Sequence, residues 1–447
     1  MSGLTLVLLA PIGVLVALLC LQKPLSVALP AFAASIPFGN LLGVGHSRFG
    51  SLSSILGLLM LVGLTVRLVV SRRQWAPLSG TVFLWLAFVA VAATTTLWSL
   101  GPKLTANGVL EIGSLIGLYA LISMNQVDRA IVRRVEQGLI LGGVAAVGYG
   151  LVQLTLLGGF PNDVPGLPPG AGGRFGNDLL GPNNNAVAFL LPLCICLHRS
   201  ATAPRASTRR LNAVLAFLMF LGIVMTGSRG GMLAAVLCTL VLFAVAPRGR
   251  RILATYLVTV IVAGLVAFFL HPFGLAQRDV STTSSSGRTS IWKVGLAACP
   301  QYCPLGAGWE TFPIVYARTQ PTVPGAEVLV GKGGSYQPHN VILLVGIELG
   351  LPGLLFFFSA LGLTLLEAWR LPRPVRGPPL AALLGTYQAS LFLSNLGYKF
   401  FWMAFIMVAI TRSASYLEHA QERGALELEA RSADLRVTPT LRDGAAE

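Results

Sequence analysis

Apolar residues run along this chain in long blocks, not in the alternating or three-to-four-residue rhythms of a soluble domain. Blocks close to the roughly 20 residues that a helix needs to cross a bilayer fall at 4–22, 24–42, 51–70, 79–98, 104–124, 135–157, 183–198, 211–227, 230–246, 252–271, 340–368, 379–397 and 399–412. In lipid every backbone polar group must be satisfied within its own segment, so blocks of this length predict helices. The pattern predicts an all-α, polytopic integral membrane protein of about 12 transmembrane helices. The stretch 4–42 is interrupted only by Gln22, Lys23 and Pro24. It reads either as two spans or as one span plus a re-entrant or surface piece.

Charge sets the expected orientation. Arg72/Arg73, Arg129/Arg133/Arg134, Arg199/Arg205/Arg209/Arg210, Arg248/Arg250/Arg251 and Arg370/Arg373/Arg376 lie between apolar blocks, as the positive-inside bias places cytoplasmic loops. Alternation then predicts that 43–50, 158–182, 228–231 and 272–338 are extracytoplasmic. The expected organisation is transmembrane helices with short loops over 1–271, a long extracytoplasmic loop over 272–339, C-terminal transmembrane helices over 340–412, and a cytoplasmic polar tail over 413–447, helical in part or disordered. No cleavable signal peptide is expected, since the first block lacks a basic leader.

Composition agrees with the blocks. Of the 447 residues 54% are hydrophobic and 11% charged, against roughly 25% charged in a soluble domain. The net charge of +15 is scattered in short clusters, not gathered on one face, so no nucleic-acid partner is expected; the lipid bilayer is.

The 272–338 segment stands apart. A loop of such length is uncommon in a compact protein and is usually functional. Within it, SGRTSIWKVGLAACP has the apolar spacing of a short helix lying at the interface, with Trp292 as its anchor. Cys299 and Cys303 stand four residues apart. In an oxidising compartment they form a possible disulfide; two buried free thiols are the alternative. Cys20, Cys194, Cys196 and Cys238 lie in apolar runs and read as small hydrophobes.

Familiar catalytic signatures are missing: no Walker loop, no Rossmann fingerprint, no HExxH and no Gly-x-Ser-x-Gly elbow. The outer acids Asp163, Asp178, Asp279, Glu310 and Glu327 form no close pair, so neither a metal site nor a cofactor is expected. What the outer side does carry is arginine: Arg174, Arg229, Arg288 and Arg318, against the topological bias. A guanidinium binds phosphate oxygens in bidentate fashion at any working pH, so an anionic lipid-linked substrate explains several at once. Snorkelling to headgroups, or pairing with a loop acid, explains any single one. Arg229, in TGSRGG between two apolar blocks, is held closest to the bilayer, where a charge is costly and by default functional. His339 opens the apolar run of SYQPHNVILLVGIELGLPG, at the N-terminus of a helix whose dipole disfavours imidazolium. A neutral imidazole there suits a general base; an interfacial histidine with a satisfied ring is the other reading. Glu348 lies nine residues on, about 13 Å deeper at a rise of 1.5 Å per residue, on roughly the opposite face, and reads as a packing residue. Glu111 and Lys399 are further charges at or within the membrane.

Four motifs in order carry a resemblance. HNVILLVGIELGLPG resembles the His-Asn and Leu-Pro-Gly helix of the O-antigen ligase and polymerase superfamily. SGRTSIWKVGLAACPQYCPLGAGWETF is similar to the segment before it, TGSRGG to its Ser-Arg-Gly turn, and GRFGNDLLGPNNNA to its Arg…Pro-Asn-Asn loop. The resemblance implies a membrane-embedded glycosyltransferase without metal or nucleotide sugar. Its donor would be undecaprenyl-pyrophosphate-linked polysaccharide and its acceptor a sugar hydroxyl of lipid A–core oligosaccharide. Transfer would take place at the periplasmic face of a Gram-negative inner membrane. It implies His339 as the essential histidine, and Arg229, Arg288 and, less firmly, Arg174 as residues that hold the donor pyrophosphate. An O-antigen polymerase or a protein oligosaccharyltransferase shares fold and donor; the single long outer loop and the short tail favour the ligase. A transporter or flippase of an anionic lipid-linked glycan is the competing reading of another class.

Overall fold

The computed structural model describes residues 3–39, 50–70, 76, 78–156, 160, 173–176, 181–270, 288–326 and 337–437. Among them the chain is helical, in the order α1 (Gly3–Gln22), α2 (Leu29–Ser35), α3 (Leu52–Val70), α4 (Gly80–Thr94), α5 (Pro102–Met124), α6 (Arg129–Leu156), α7 (Gly181–Ala188), α8 (Leu190–Thr202), α9 (Ala206–Met225), α10 (Arg229–Val245), α11 (Arg250–Leu270), α12 (Arg288–Tyr302), α13 (Phe312–Thr319), α14 (Val341–Arg370), α15 (Arg373–Ser390) and α16 (Lys399–Val437).

Eight helices, or continuous helix pairs, are long and apolar enough to cross a membrane, and the bent pair Gly13–Gln22 and Pro24–Phe38 makes a ninth. α10 (17 residues) is a shorter apolar helix. The chain is thus an all-α, multi-pass membrane protein. Leu110 is 71% exposed, Leu141 67%, Phe269 71% and Leu355 63%; such side chains on the outside of a bundle suit lipid, not water.

Of the two readings of 4–42, the structure shows a sharply bent helix pair, a broken span or a re-entrant piece. Pro24 follows a bend of 116° and opens a π-helical turn that runs into α2, as a proline without a backbone donor allows. This folded-back piece is held by close approach: a Cβ on Gly138 or Gly142 of α6 would collide with the carbonyl oxygens of Pro30 and Ala34. Small residues four apart let helix backbones meet where packing, not water, drives association. The predicted 379–397 span is α15, displaced toward the N-terminus, and a turn over 391–398 follows it. The last helix continues through Val437, so the described part of the tail is helical.

Candidate active site

The outer loop is locked to the bundle through a break in α14. Gly350 has φ 69° inside the helix, and Pro352 follows. Two carbonyls lose their helical donors as a result: Ile347 O, because the Leu351 N–H turns to Cys303 O (2.8 Å), and Glu348 O, because proline has no N–H. The loop after α12 fills the gap. Ala307 N–H donates to Ile347 O (2.8 Å) and Gly308 N–H to Glu348 O (3.0 Å). The fit demands glycine: φ is 85° at Gly306 and 108° at Gly308, and a Cβ on either would strike Glu348 O or Ser99 Oγ. Cys299 and Cys303 are disulfide-bonded at the base of this loop.

Glu348 is the clamp. It is fully buried, and its carboxyl oxygens accept the N–H groups of Glu310 and Phe312, each at 2.9 Å. Phe312 opens α13, so one side chain both caps that helix and holds the loop. Replacing Glu348 with Ala leaves two inward N–H groups without partners, at about 1–3 kcal/mol each. The expected result is a lower unfolding temperature in detergent, with Glu348→Gln, which keeps one acceptor, intermediate.

His339 sits between this clamp and α15. Asn340 caps α14, its Oδ1 accepting from the N–H groups of Ile342 and Leu343 at 3.0 Å. His339 precedes the cap with φ 47°, a backbone rarely adopted outside glycine. Its N–H donates to Ser394 Oγ at 3.1 Å. Trp292 Nε1 donates to Pro338 O at 2.8 Å, and its ring lies 6.5 Å from that of Phe392. Trp292 therefore acts as a strut between α12 and the His339 turn. The imidazole is neutral over the physiological range, its pKa lowered to about 4, by burial first and by the Arg288 guanidinium second. Neutrality was expected from the helix dipole; burial and Arg288 bring it about. His339 Nδ1 is buried without a hydrogen-bond partner.

Arg288 and His339 are thus neighbours, brought together by the first residue of α12 and the turn before α14. Arg229 and Arg174 share a second unit. Arg229 is the first residue of α10, whose N-cap Ser228 accepts from Gly231 N–H (3.2 Å). Arg174 donates from Nε to Thr226 O (2.7 Å) and from a terminal nitrogen to Asn183 Oδ1 (2.8 Å), so at least two of its donors tie the 173–176 segment to the Arg229 turn. The two units meet on α15. Cys238 Sγ contacts Ala381 O at 3.2 Å, and α10 and α15 run antiparallel. Nine residues back to Arg229 and nine forward to Ser390 cover the same rise. Arg229 is therefore level with the end of α15, just before the turn that holds His339. Of the outer acids, Asp163, Asp178, Asp279 and Glu327 lie outside the described residues; Glu310 is on the clamped loop. Arg318, in the last turn of α13, is exposed. Ser394 was not legible as a partner, for nothing in LSNLGYK marks it.

A cavity of about 320 Å³ opens beside the His339 turn, bordered there by Gln337 and Ser394. Among the described residues no group of three or more His, Cys, Asp or Glu side chains is arranged to hold a metal ion.

Residues 214–358 match a family model described as O-antigen ligase. The matched stretch runs from α9 into α14 and contains Arg229, Arg288, the clamped loop and His339; Arg174 lies before it. No curated protein gives a match to the chain. The chain is thus a polytopic membrane protein whose match to a known family falls on the residues around the His339 site. Over residues 214–358, about a third of its length, it is similar to the O-antigen ligase family.

Proposed function

We propose that the protein transfers a polysaccharide from undecaprenyl pyrophosphate to a sugar hydroxyl of lipid A–core oligosaccharide, at the periplasmic face of a Gram-negative inner membrane. The observation that carries this reading is a neutral imidazole beside a guanidinium, His339 next to Arg288, with Arg229 level with the same end of the bundle. Such a pair suits a reaction that needs a proton acceptor and a stabiliser of anionic charge a few ångströms apart.

In this mechanism Arg288 and Arg229 bind the donor pyrophosphate, and Arg174 holds the Arg229 turn in place. The acceptor hydroxyl loses its proton to His339 as its oxygen attacks the anomeric carbon. The carbon–oxygen bond to pyrophosphate breaks on the opposite face, its electron pair leaves on the pyrophosphate, and the anomeric centre inverts. Charge that a metal ion would otherwise neutralise is met by the guanidinium groups. Transfer by the purified protein is expected to continue unchanged in excess chelator; loss of activity restored by a divalent cation would contradict this part of the scheme.

A pKa of about 4 makes His339 a weak base in the free protein. The Arg288 charge is one of its two causes, so a pyrophosphate dianion on Arg288 compensates that charge and raises the ring's basicity when the donor is bound. Free-enzyme ionisations govern kcat/KM. Its acid limb is therefore expected near pH 4, not near the ordinary 6.5 of histidine, with kcat declining at higher pH than kcat/KM. The same shift affects stability. Between pH 6.5 and 4 the unfolded chain protonates this histidine while the folded one does not, so acidification through that window destabilises the fold. Rate and unfolding measured from pH 4 to 8 check both.

A further inference from the structure

The arginines account for an anion but leave the cavity beside His339 unassigned. None of Arg174, Arg229 and Arg288 lines it. Its volume of about 320 Å³ falls within the range of small-ligand sites. Phe32, Leu58 and Leu118 contribute to an apolar wall, and Trp309 and Tyr398 add aromatic rings. Its polar groups are unlike those of a phosphate site. Lys399 is the cation, and its ammonium donates to the hydroxyls of Ser51 (3.0 Å), Ser53 (2.9 Å) and Ser54 (2.7 Å). All three of its protons are thereby engaged. Its charge polarises the serine hydroxyls instead of offering donors directly to an anion. Glu111 and Glu310 line the same space, and Glu111 is close enough to Lys399 to share in balancing its charge.

Carboxylate and amide acceptors, polarised hydroxyl donors and aromatic faces together match a ring bearing many hydroxyl groups. Each sugar hydroxyl both donates and accepts, and the C–H faces of the ring rest on aromatics. We propose that this cavity is the acceptor compartment, taking an uncharged sugar ring of a glycolipid, with Glu310 accepting a hydrogen bond from the ring and the apolar wall receiving the aliphatic part. The proposal rests on the reading of His339 as the residue that meets the acceptor. His339 itself does not line the cavity; Ser394 connects the two places, since it lines the cavity and accepts the His339 N–H. Glu310 is presented with care: its φ is 65°, and among the described residues only His339 shares such a backbone without being glycine. Glu348 holds that conformation through the Glu310 N–H and acts as a positioning residue.

The test uses the full-length protein in nanodiscs and a fluorescent neutral glycolipid as probe, with acceptor and donor KM measured separately. Glu310→Gln keeps an acceptor oxygen but loses its charge, so it is expected to weaken glycolipid binding and raise acceptor KM by about threefold to tenfold, while donor KM stays within about twofold. Glu310→Gly removes the acceptor altogether and relieves the backbone, so it is expected to raise acceptor KM by about tenfold or more without a lower melting temperature. Unaltered glycolipid binding in both variants, or displacement of the probe by a phosphate-headed lipid as readily as by a second glycolipid, would overturn the proposal. A wild-type protein that binds the probe through Glu310 yet transfers nothing leaves the compartment standing and refutes the transfer mechanism. Transfer with binding indifferent to Glu310 refutes the compartment alone.

Discussion

Replacing His339 with Ala is expected to abolish glycan transfer, with a loss of about 10²–10⁴ in rate from the missing proton acceptor, while protein level in the membrane stays unchanged. The structural reason for the second half is specific. The imidazole makes no hydrogen bond through Nδ1, and the bond that fixes the turn comes from the backbone N–H to Ser394, which alanine keeps. His339→Asn is the sharper control. Asparagine tolerates a φ of 47° better than most residues and cannot act as the base. It is therefore expected to be as stable as wild type and equally inactive in a lipopolysaccharide ladder assay. Persistence of the ladder in either variant would remove the base role from His339.

Arg288 is expected to show two separable effects. Arg288→Ala removes a donor from the leaving pyrophosphate, at a loss of about 10²–10³ in kcat, and also removes a charge that holds His339 at a pKa of about 4. The acid limb of the residual activity should therefore move to higher pH. Arg288→Lys keeps the charge but not the planar fork, so it should lose rate while leaving the limb near its original pH. A pH profile of the three proteins separates a residue that only binds donor from one that also tunes the base. If Arg288→Ala loses rate with no change in the limb, the electrostatic coupling between the two residues is wrong.

Much of the fold was legible because lipid demands length and apolarity, which a sequence displays directly. The bend after Gln22 was legible only as an ambiguity: Pro24 announces a break but not the 116° turn it makes. The His339 site divides in the same way. Local features were readable, since Asn340 is a helix cap and Gly350 with Pro352 breaks a helix. The partners were not. The loop that fills the break comes from 303–308, more than 40 residues away; Glu348 reads as packing until its two N–H donors are seen across the gap; Lys399 and its serines are separated by at least 345 residues. The spacing of Trp292 suggested an interfacial anchor, and its hydrogen bond to Pro338 O, 46 residues on, was not legible in that spacing. Ser394 had no signature, since its contribution is one hydroxyl placed by the turn after α15.

The central claim is that a covalent bond is made at the outer end of this bundle. The most direct test reconstitutes the purified full-length protein in proteoliposomes with labelled undecaprenyl-pyrophosphate-linked glycan and lipid A–core oligosaccharide. The account predicts a new glycan-bearing lipid A–core product, formed without added nucleotide sugar or metal and absent with His339→Ala. Movement of labelled donor across the bilayer with no such product would contradict it and leave a transporter in its place.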